Sequence, residues 1–249
     1  MYRSIGQTDV GKVRTQNQDV FAAQRIENLG LVAVVCDGMG GAKAGNIAAE
    51  KAQEVLLEVI RLGAQRVGAQ YTVQDLLTDA VLCANETIYE MSSQDEALRG
   101  MGTTAVVAVV DEGVAKIVHV GDSRAYLIDS EAIRQITTDH TIVQLLVEHG
   151  QLTQQEARVH PKRNLITRAI GADAAIEVDY DETPLPTGAV LLLCSDGLSS
   201  YVEENRIADV ARMAPADAPQ RLIDLANANG GSDNITVLVV FEAESGSEA

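Results

Sequence analysis

Five short apolar runs constrain this chain most: 29–36 "LGLVAVVC", 104–110 "TAVVAVV", 114–120 "VAKIVHV", 189–194 "AVLLLC" and 235–241 "ITVLVVF". Each is rich in β-branched residues and bounded by turn residues, the pattern of a buried strand. Between them, Ala48, Ala52, Val55, Leu56 and Val59 recur at helical spacing, as do Leu76, Leu77, Ala80, Val81, Ala84 and Ile88. The two amphipathic helices so predicted must cover a sheet. A third helical zone runs through "TIVQLLVEHG", with Gly150 as its C-cap, into "TQQEA", where Thr153 and Glu156 have capping-box spacing. "APQRLIDLANANG" predicts one more helix before the last strand. The run 114–120 is expected to form a hairpin with 124–128, followed by "AIRQI". Such pairing favours antiparallel sheets with helices on their outer faces, a layered α+β architecture, over a doubly wound parallel sheet.

The chain has 249 residues, 46% of them hydrophobic, enough for a substantial core. No linker or repeat interrupts it, so one domain over 1–243 is expected, with the polar "ESGSEA" of 244–249 as a disordered tail. The N-terminus lacks an apolar export segment, and no apolar run approaches the roughly 18 residues that span a bilayer. A soluble cytoplasmic protein follows, with Cys36, Cys83 and Cys194 as reduced, buried, structural thiols. Lys plus Arg number 19 against 36 Asp plus Glu, a net charge of −17. This excess argues against nucleic acid and anionic membranes as partners, since cationic side chains supply most of such binding.

Some of that acid falls at the ends of the strands. Asp37 in "VAVVCDG", Asp122 in "KIVHVGDSR" and Asp196 in "VLLLCSDG" follow apolar runs, and Asp233 in "GGSDNITVLVV" precedes one. One Asp-Gly after a strand is an ordinary turn. Four such carboxylates brought to one edge of a core would repel by several kcal/mol, on the order expected even at an effective dielectric of 20. No cluster of Lys or Arg accompanies them, and no His or Cys stands at metal-ligand spacing, which argues against zinc. Oxygen-only donors favour Mg²⁺ or Mn²⁺, and Gly38 lets a backbone carbonyl approach an ion. Arg14 in "GKVRTQNQD" is the candidate phosphate clamp, with Asp19 five positions later.

Taken together, "GKVRTQNQD" (11–19), "CDGMGG" (36–41), "GMGTTAVVAVV" (100–110), "VGDSRAYLI" (120–128), "TTDHT" (137–141), "HPKRNLITRAIG" (160–171), "LLLCSDGL" (191–198) and "GSDNITVLVV" (231–240) resemble the metal-dependent protein phosphatases of type 2C in their compact bacterial form. The motifs occur in family order across almost the whole chain. The resemblance implies a four-layer α/β/β/α sandwich of two mainly antiparallel sheets, with a binuclear Mn²⁺ or Mg²⁺ centre at one end. Asp37 then corresponds to the ligand bridging both ions, Gly38 to the backbone-carbonyl ligand, and Asp196 and Asp233 to the carboxylates completing one site. Asp19 corresponds to a residue holding metal-bound water, Arg14 to the arginine that binds substrate phosphate, and Asp122 with Asp196 to a third, weaker metal site. Residues from about 139 to 171 correspond to the flap at the substrate entrance.

The activity implied is hydrolysis of phosphoserine and phosphothreonine in proteins, the targets of a Ser/Thr kinase, by direct attack of a water bridging the two ions. A monomer is expected. The alternatives are a phosphatase of small monoesters and a non-catalytic regulator that binds phosphoproteins. Many relatives carry a general-acid histidine in or just after the "DG" segment. Here Met39 and Ala42 stand there, leaving metal-bound water or a flap histidine, His140 or His160, to protonate the leaving oxygen.

Overall fold

Along the strand Gly30–Met39, Leu31, Ala33 and Val35 face one apolar layer while Val32, Val34 and Cys36 face another, and all six are buried. A strand apolar on both faces must lie between two layers. The computed structural model, which describes residues 1–40 and 44–243, shows what those layers are.

One sheet has five strands: β1 (Tyr2–Asp9), β7 (Arg124–Ile128), β8 (Ile133–Gln135), β10 (Val190–Cys194) and β11 (Ile235–Glu242), in the order β1-β11-β10-β7-β8. The other has β2 (Asp19–Ile26), β3 (Gly30–Met39), β4 (Gly102–Thr103), β5 (Ala105–Asp111), β6 (Val114–Val120) and β9 (Asp179–Pro184), in the order β2-β3-β5-β6-β9 with β4 paired to β3. Every pairing is antiparallel. Between the sheets, Leu31, Val35, Val106 and Ile117 meet Ala125, Leu191, Leu193 and Leu238. On the outer face of the second sheet, α1 (Ala44–Gly63) and α2 (Val73–Gln94) bury Ala48, Ala52, Leu56, Leu77, Val81 and Ile88 against Val34 and Val107. On the outer face of the first, α5 (Asp196–Ser199), α6 (Glu204–Met213) and α7 (Ala218–Ala228) cover Leu192, Val237 and Val239. The result is helices, sheet, sheet, helices, as the resemblance implies.

The helical zone after residue 140 divides into α3 (Ile142–Glu148) and α4 (Gln154–Val159). Gly150, at φ +67°, follows the cap residue His149, and Thr153 and Glu156 make the reciprocal capping box that their spacing predicts.

Several sequence expectations are corrected. The run 114–120 does not pair with 124–128: β6 joins the second sheet and β7 the first, so the chain changes sheets at Gly121–Ser123. Gly121 takes φ +103°, a backbone region open to glycine at little cost, and turns the chain there. Asp37 does not follow its strand but lies inside it, because β4 pairs with Gly38 and Met39 and the Thr104 N–H donates to the Asp37 carbonyl at 2.9 Å. Cys36 and Cys194 are buried, whereas Cys83 is exposed because it lies off the stripe of α2 that packs on the sheet. Ala42 and the tail 244–249 lie outside the described residues. Among those described, no helix is long and apolar enough to cross a membrane.

The layer between the sheets carries the fold. Leu191→Ala, at a fully buried site in that layer, is expected to cost about 2–5 kcal/mol through the cavity it leaves, measured by denaturant unfolding with the strand signature retained in circular dichroism.

Candidate metal centre

Asp19 and Asp37 stand directly opposite each other in the register of β2 and β3, an arrangement that places two like charges side by side. The strands do not separate there because Asp19 is held from the other sheet: its Oδ2 accepts from Ser195 Oγ at 2.7 Å and from Thr236 Oγ1 at 2.8 Å. Among the described residues, the buried Asp19 Oδ1 has no hydrogen-bond partner. Asp196 opens α5 immediately after β10, Asp233 lies just before β11, and Asp122 occupies the turn between the sheets. All five carboxylates therefore gather at one end of the sandwich. Asp19 and Asp122 are buried, while Asp37, Asp196 and Asp233 keep part of their surface open to solvent.

Their mutual effect is large. Removal from water, and then the charges of Asp19, Asp196, Asp122 and Asp233, hold the Asp37 carboxyl well above its ordinary range. Burial and then Asp122, Asp233 and Asp19 do the same to Asp196. Asp19 is pushed up to about 6, mainly by burial, and Asp122 to about 7 by burial and then Asp139.

Among the described residues, Arg14 and Arg124 bring positive charge near the acids. Arg14, half exposed, donates from Nη2 to Asp233 Oδ2 at 2.9 Å, and its charge also bears on Asp37 and Asp196. Arg124, near-adjacent to Asp122, is a single arginine and no cluster. Its fork is occupied by Asp139, with Nε to Oδ1 at 2.9 Å and Nη2 to Oδ2 at 2.7 Å, so it leaves the acids largely uncompensated.

The donor set fits hard divalent cations: carboxylate oxygens, a buried oxygen on Asp19 with no partner among the described residues, and a glycine beside Asp37. A Cβ added at Gly38 would collide with the carbonyl of Gly45 and come within 2.8 Å of that of Gln18, so this cradle admits no side chain.

Sequence reasoning brought Asp19, Asp37, Gly38, Asp122, Asp196, Asp233 and Arg14 into view, and the fold brings them together. It missed their supports. Asn234 donates from Nδ2 to the Val10 and Gln16 carbonyls at 3.0 and 2.9 Å and accepts the Gln18 N–H at 2.8 Å, shaping the loop that carries Arg14 and Asp19. Thr104 Oγ1 accepts the Asp37 N–H at 3.1 Å. The one signal for them was adjacency, as in "SDN" and "CSD". Of the histidines after residue 139, His140 and His160 are the two candidates for protonating the leaving oxygen. His140 is buried, held below the ordinary histidine range by burial and then His119 and Arg168, and bonded to the Gly121 N–H. His160 Nδ1 accepts the Lys162 N–H at 3.1 Å.

Over residues 10–231 the chain matches the family described as Protein phosphatase 2C. It belongs to that family, the type 2C protein phosphatases. It is 39% identical over 248 residues to Protein phosphatase PhpP of Streptococcus pneumoniae, covering 97% of this chain and 98% of the relative. The crystal structure of Serine/threonine phosphatase Stp1 from Staphylococcus aureus superposes with a TM-score of 0.90 at 35% identity, over 98% of this chain and 96% of that one. The catalytic domain of serine threonine protein phosphatase PstP in complex with 2 manganese ions superposes with a TM-score of 0.83 at 33% identity, over 96% and 97%.

Acids whose folded pKa exceeds the unfolded value of 3.8 bind extra protons in the native state, so stability falls as pH rises through the window. Without metal, the protein is expected to lose thermal stability from about pH 4 to about pH 7, given the values of about 6 and about 7 at Asp19 and Asp122. Asp37→Asn should flatten that decline and raise the metal-free Tm at pH 7.5 by roughly 2–4 °C, the shift for about 1 kcal/mol in a chain of this size. Scanning calorimetry of both proteins across pH checks it; parallel curves would remove Asp37 from the repelling cluster.

Proposed function

We propose that this chain is a metal-dependent phosphatase that hydrolyses phosphoserine and phosphothreonine in proteins, the products of Ser/Thr kinases. The observation that carries the reading is the gathering of Asp37, Asp122, Asp196 and Asp233 beside the unpartnered oxygen of Asp19, with an arginine at the rim. Its full-length likeness to proteins named as serine/threonine phosphatases supports the same substrate class.

Asp37 is the central ligand, since every other carboxylate of the cluster acts on it. Asp196 and Asp233, with the Gly38 carbonyl, complete a site for two ions, Mn²⁺ or Mg²⁺. Asp122 is the charged group that acts most on Asp196, which supports that pair as holder of a third, looser ion. When bound, the ions supply positive charge for the phosphoryl oxygens and lower the pKa of coordinated water toward neutrality. Asp19, fixed by Ser195 and Thr236 through Oδ2, keeps Oδ1 free of any described donor and so available to orient water. Arg14 spends one N–H on Asp233 and keeps the rest of its fork for the substrate phosphate. The protein acts as a cytoplasmic monomer, residues 1–243 form one domain, and the segment from about 139 to 171 borders the substrate entrance.

Two results are expected. EDTA abolishes turnover of a phosphothreonine peptide, and Mn²⁺ or Mg²⁺ restores it; Asp37→Asn or Asp233→Asn lowers it by at least about 10²-fold, the scale for removing a group that stabilises transition-state charge. Full activity in EDTA after exhaustive dialysis overturns the reading. Arg14→Ala should raise KM for the peptide roughly 10- to 100-fold while Mn²⁺ binding stays unchanged, the loss of a charge-assisted hydrogen-bond pair. Steady-state kinetics beside calorimetric metal titration separates the two effects.

A further inference from the structure

Both backbone polar groups of Gly121 end on one residue. The Gly121 N–H donates to His140 Nδ1 at 3.1 Å, and its carbonyl accepts the His140 N–H at 3.0 Å. Gly121 immediately precedes Asp122, at the turn where the chain changes sheets.

We infer that His140 is a positioning residue that fixes the Gly121–Asp122 turn, and with it the Asp122 carboxylate, from the base of the flap segment. The inference rests on the proposed role of Asp122 as an ion ligand.

The ring is held on every side. Because Nδ1 accepts the Gly121 N–H, the ring proton lies on Nε2, which has Asp179 Oδ2 at 3.3 Å and Arg168 Nη1 at 3.2 Å; the carboxylate alone of these two can accept that proton, so the arginine is a close charge and not a donor to the ring. The other oxygen of Asp179 accepts from Arg168 Nη1 at 2.6 Å. His119 stacks on His140 with ring centroids 4.6 Å apart and an interplanar angle of 25°, and its own Nε2 donates to the Thr138 carbonyl at 2.8 Å. His119, His140 and Asp179 bring one ligand atom each within 4.8 Å of one another, which the sequence spacing did not show. Arg168 already supplies the positive charge there, and a metal on Nε2 would force the proton onto Nδ1, against the Gly121 N–H. The group is a strut.

The strut has two ends. On one side, a Cβ at Gly121 would come within 2.5 Å of Thr104 Cγ2, and Thr104 in turn accepts the Asp37 N–H and bonds Ser123 Oγ at 2.7 Å. Displacing Gly121 therefore reaches Asp37 as well as Asp122. On the other side, the His140 carbonyl accepts the Thr167 N–H at 2.7 Å, Thr141 bridges Ile166, and Ile142 N–H donates to the Leu165 carbonyl at 2.9 Å. Both ends of the segment 141–167 thus close on His140.

The test compares two substitutions. His140→Asn keeps an acceptor near the position of Nδ1, whereas His140→Gln places its amide near Nε2 and leaves the Gly121 N–H without a partner. In calorimetric Mn²⁺ titrations of the metal-free proteins, His140→Gln should weaken the loosest site about 10- to 100-fold, the scale for losing a group that orients a ligand, and His140→Asn should stay near the parent. Amide hydrogen exchange should show Gly121 deprotected in the Gln variant and protected in the Asn variant. Equal impairment in both, or a Gln variant with parental affinity and protection, overturns the proposal. Asp122→Asn serves as the control: if it leaves the titration unchanged, the ligand role of Asp122 fails, and Gly121 protection still reports whether His140 holds the turn. Should His140→Gln not fold, ¹⁵N spectra of the unaltered protein decide, because the proposal requires the Nε2–H tautomer and the Nδ1–H tautomer overturns it.

Discussion

Repulsion among carboxylates is the constraint on which the rest of this structure depends. Two acids face each other across β2 and β3, and three more arrive from the turn and strand ends around them. The partly buried Arg124 is engaged by Asp139. The Arg14–Asp233 pair offsets only part of that repulsion, so the apolar layers hold the arrangement, and they do so with residues that leave little freedom. Leu191, Leu193, Val106 and Ile117 lock the sheets face to face, while Ser195 and Thr236 reach across from the first sheet to Asp19 on the second. A strained functional end is carried by a well-packed body, a common division in enzymes.

The division between what the sequence reveals and what it hides follows the same physics. Strands buried on both faces, such as β3, β5 and β11, are legible because both faces demand apolar residues. The edge strands β1, β2 and β9 escaped, since half their side chains meet solvent and "YRSIGQTD" or "DYDETP" shows no apolar run. The strand-end aspartates stood out because charge abutting a buried run is rare. Period-2 alternation reports which face is buried but not which sheet a strand joins, so the crossing at Gly121 was invisible. Asn234, Thr104 and Ser195 look like ordinary turn and strand residues, and only the fold shows what their side chains grip. The pairing of His119 with His140 joins residues far apart in sequence and had no local signature.

Electrostatics also places the proposed chemistry. A protein of net charge −17 repels a phosphate dianion from most of its surface. The end of the sandwich is where that field can be reversed, because it gathers carboxylates that act on one another, and Arg14 stands at its margin. Attraction for the substrate is thereby confined to the place where it can react.

The first and last described strands are neighbours: β1 pairs along its whole length with β11, and Ala243 N–H donates to the Met1 carbonyl. β11 is also interior to its sheet, with β10 on its other side, and Asp233 lies just before it. On the ribosome, β1 must therefore wait for β11, and the sheet gains that interior strand only after every other described element has been made. The acid cluster is completed in the same moment. A chain stopped before Asp233 cannot assemble the full centre, so in this topology competence for catalysis waits on the last described strand.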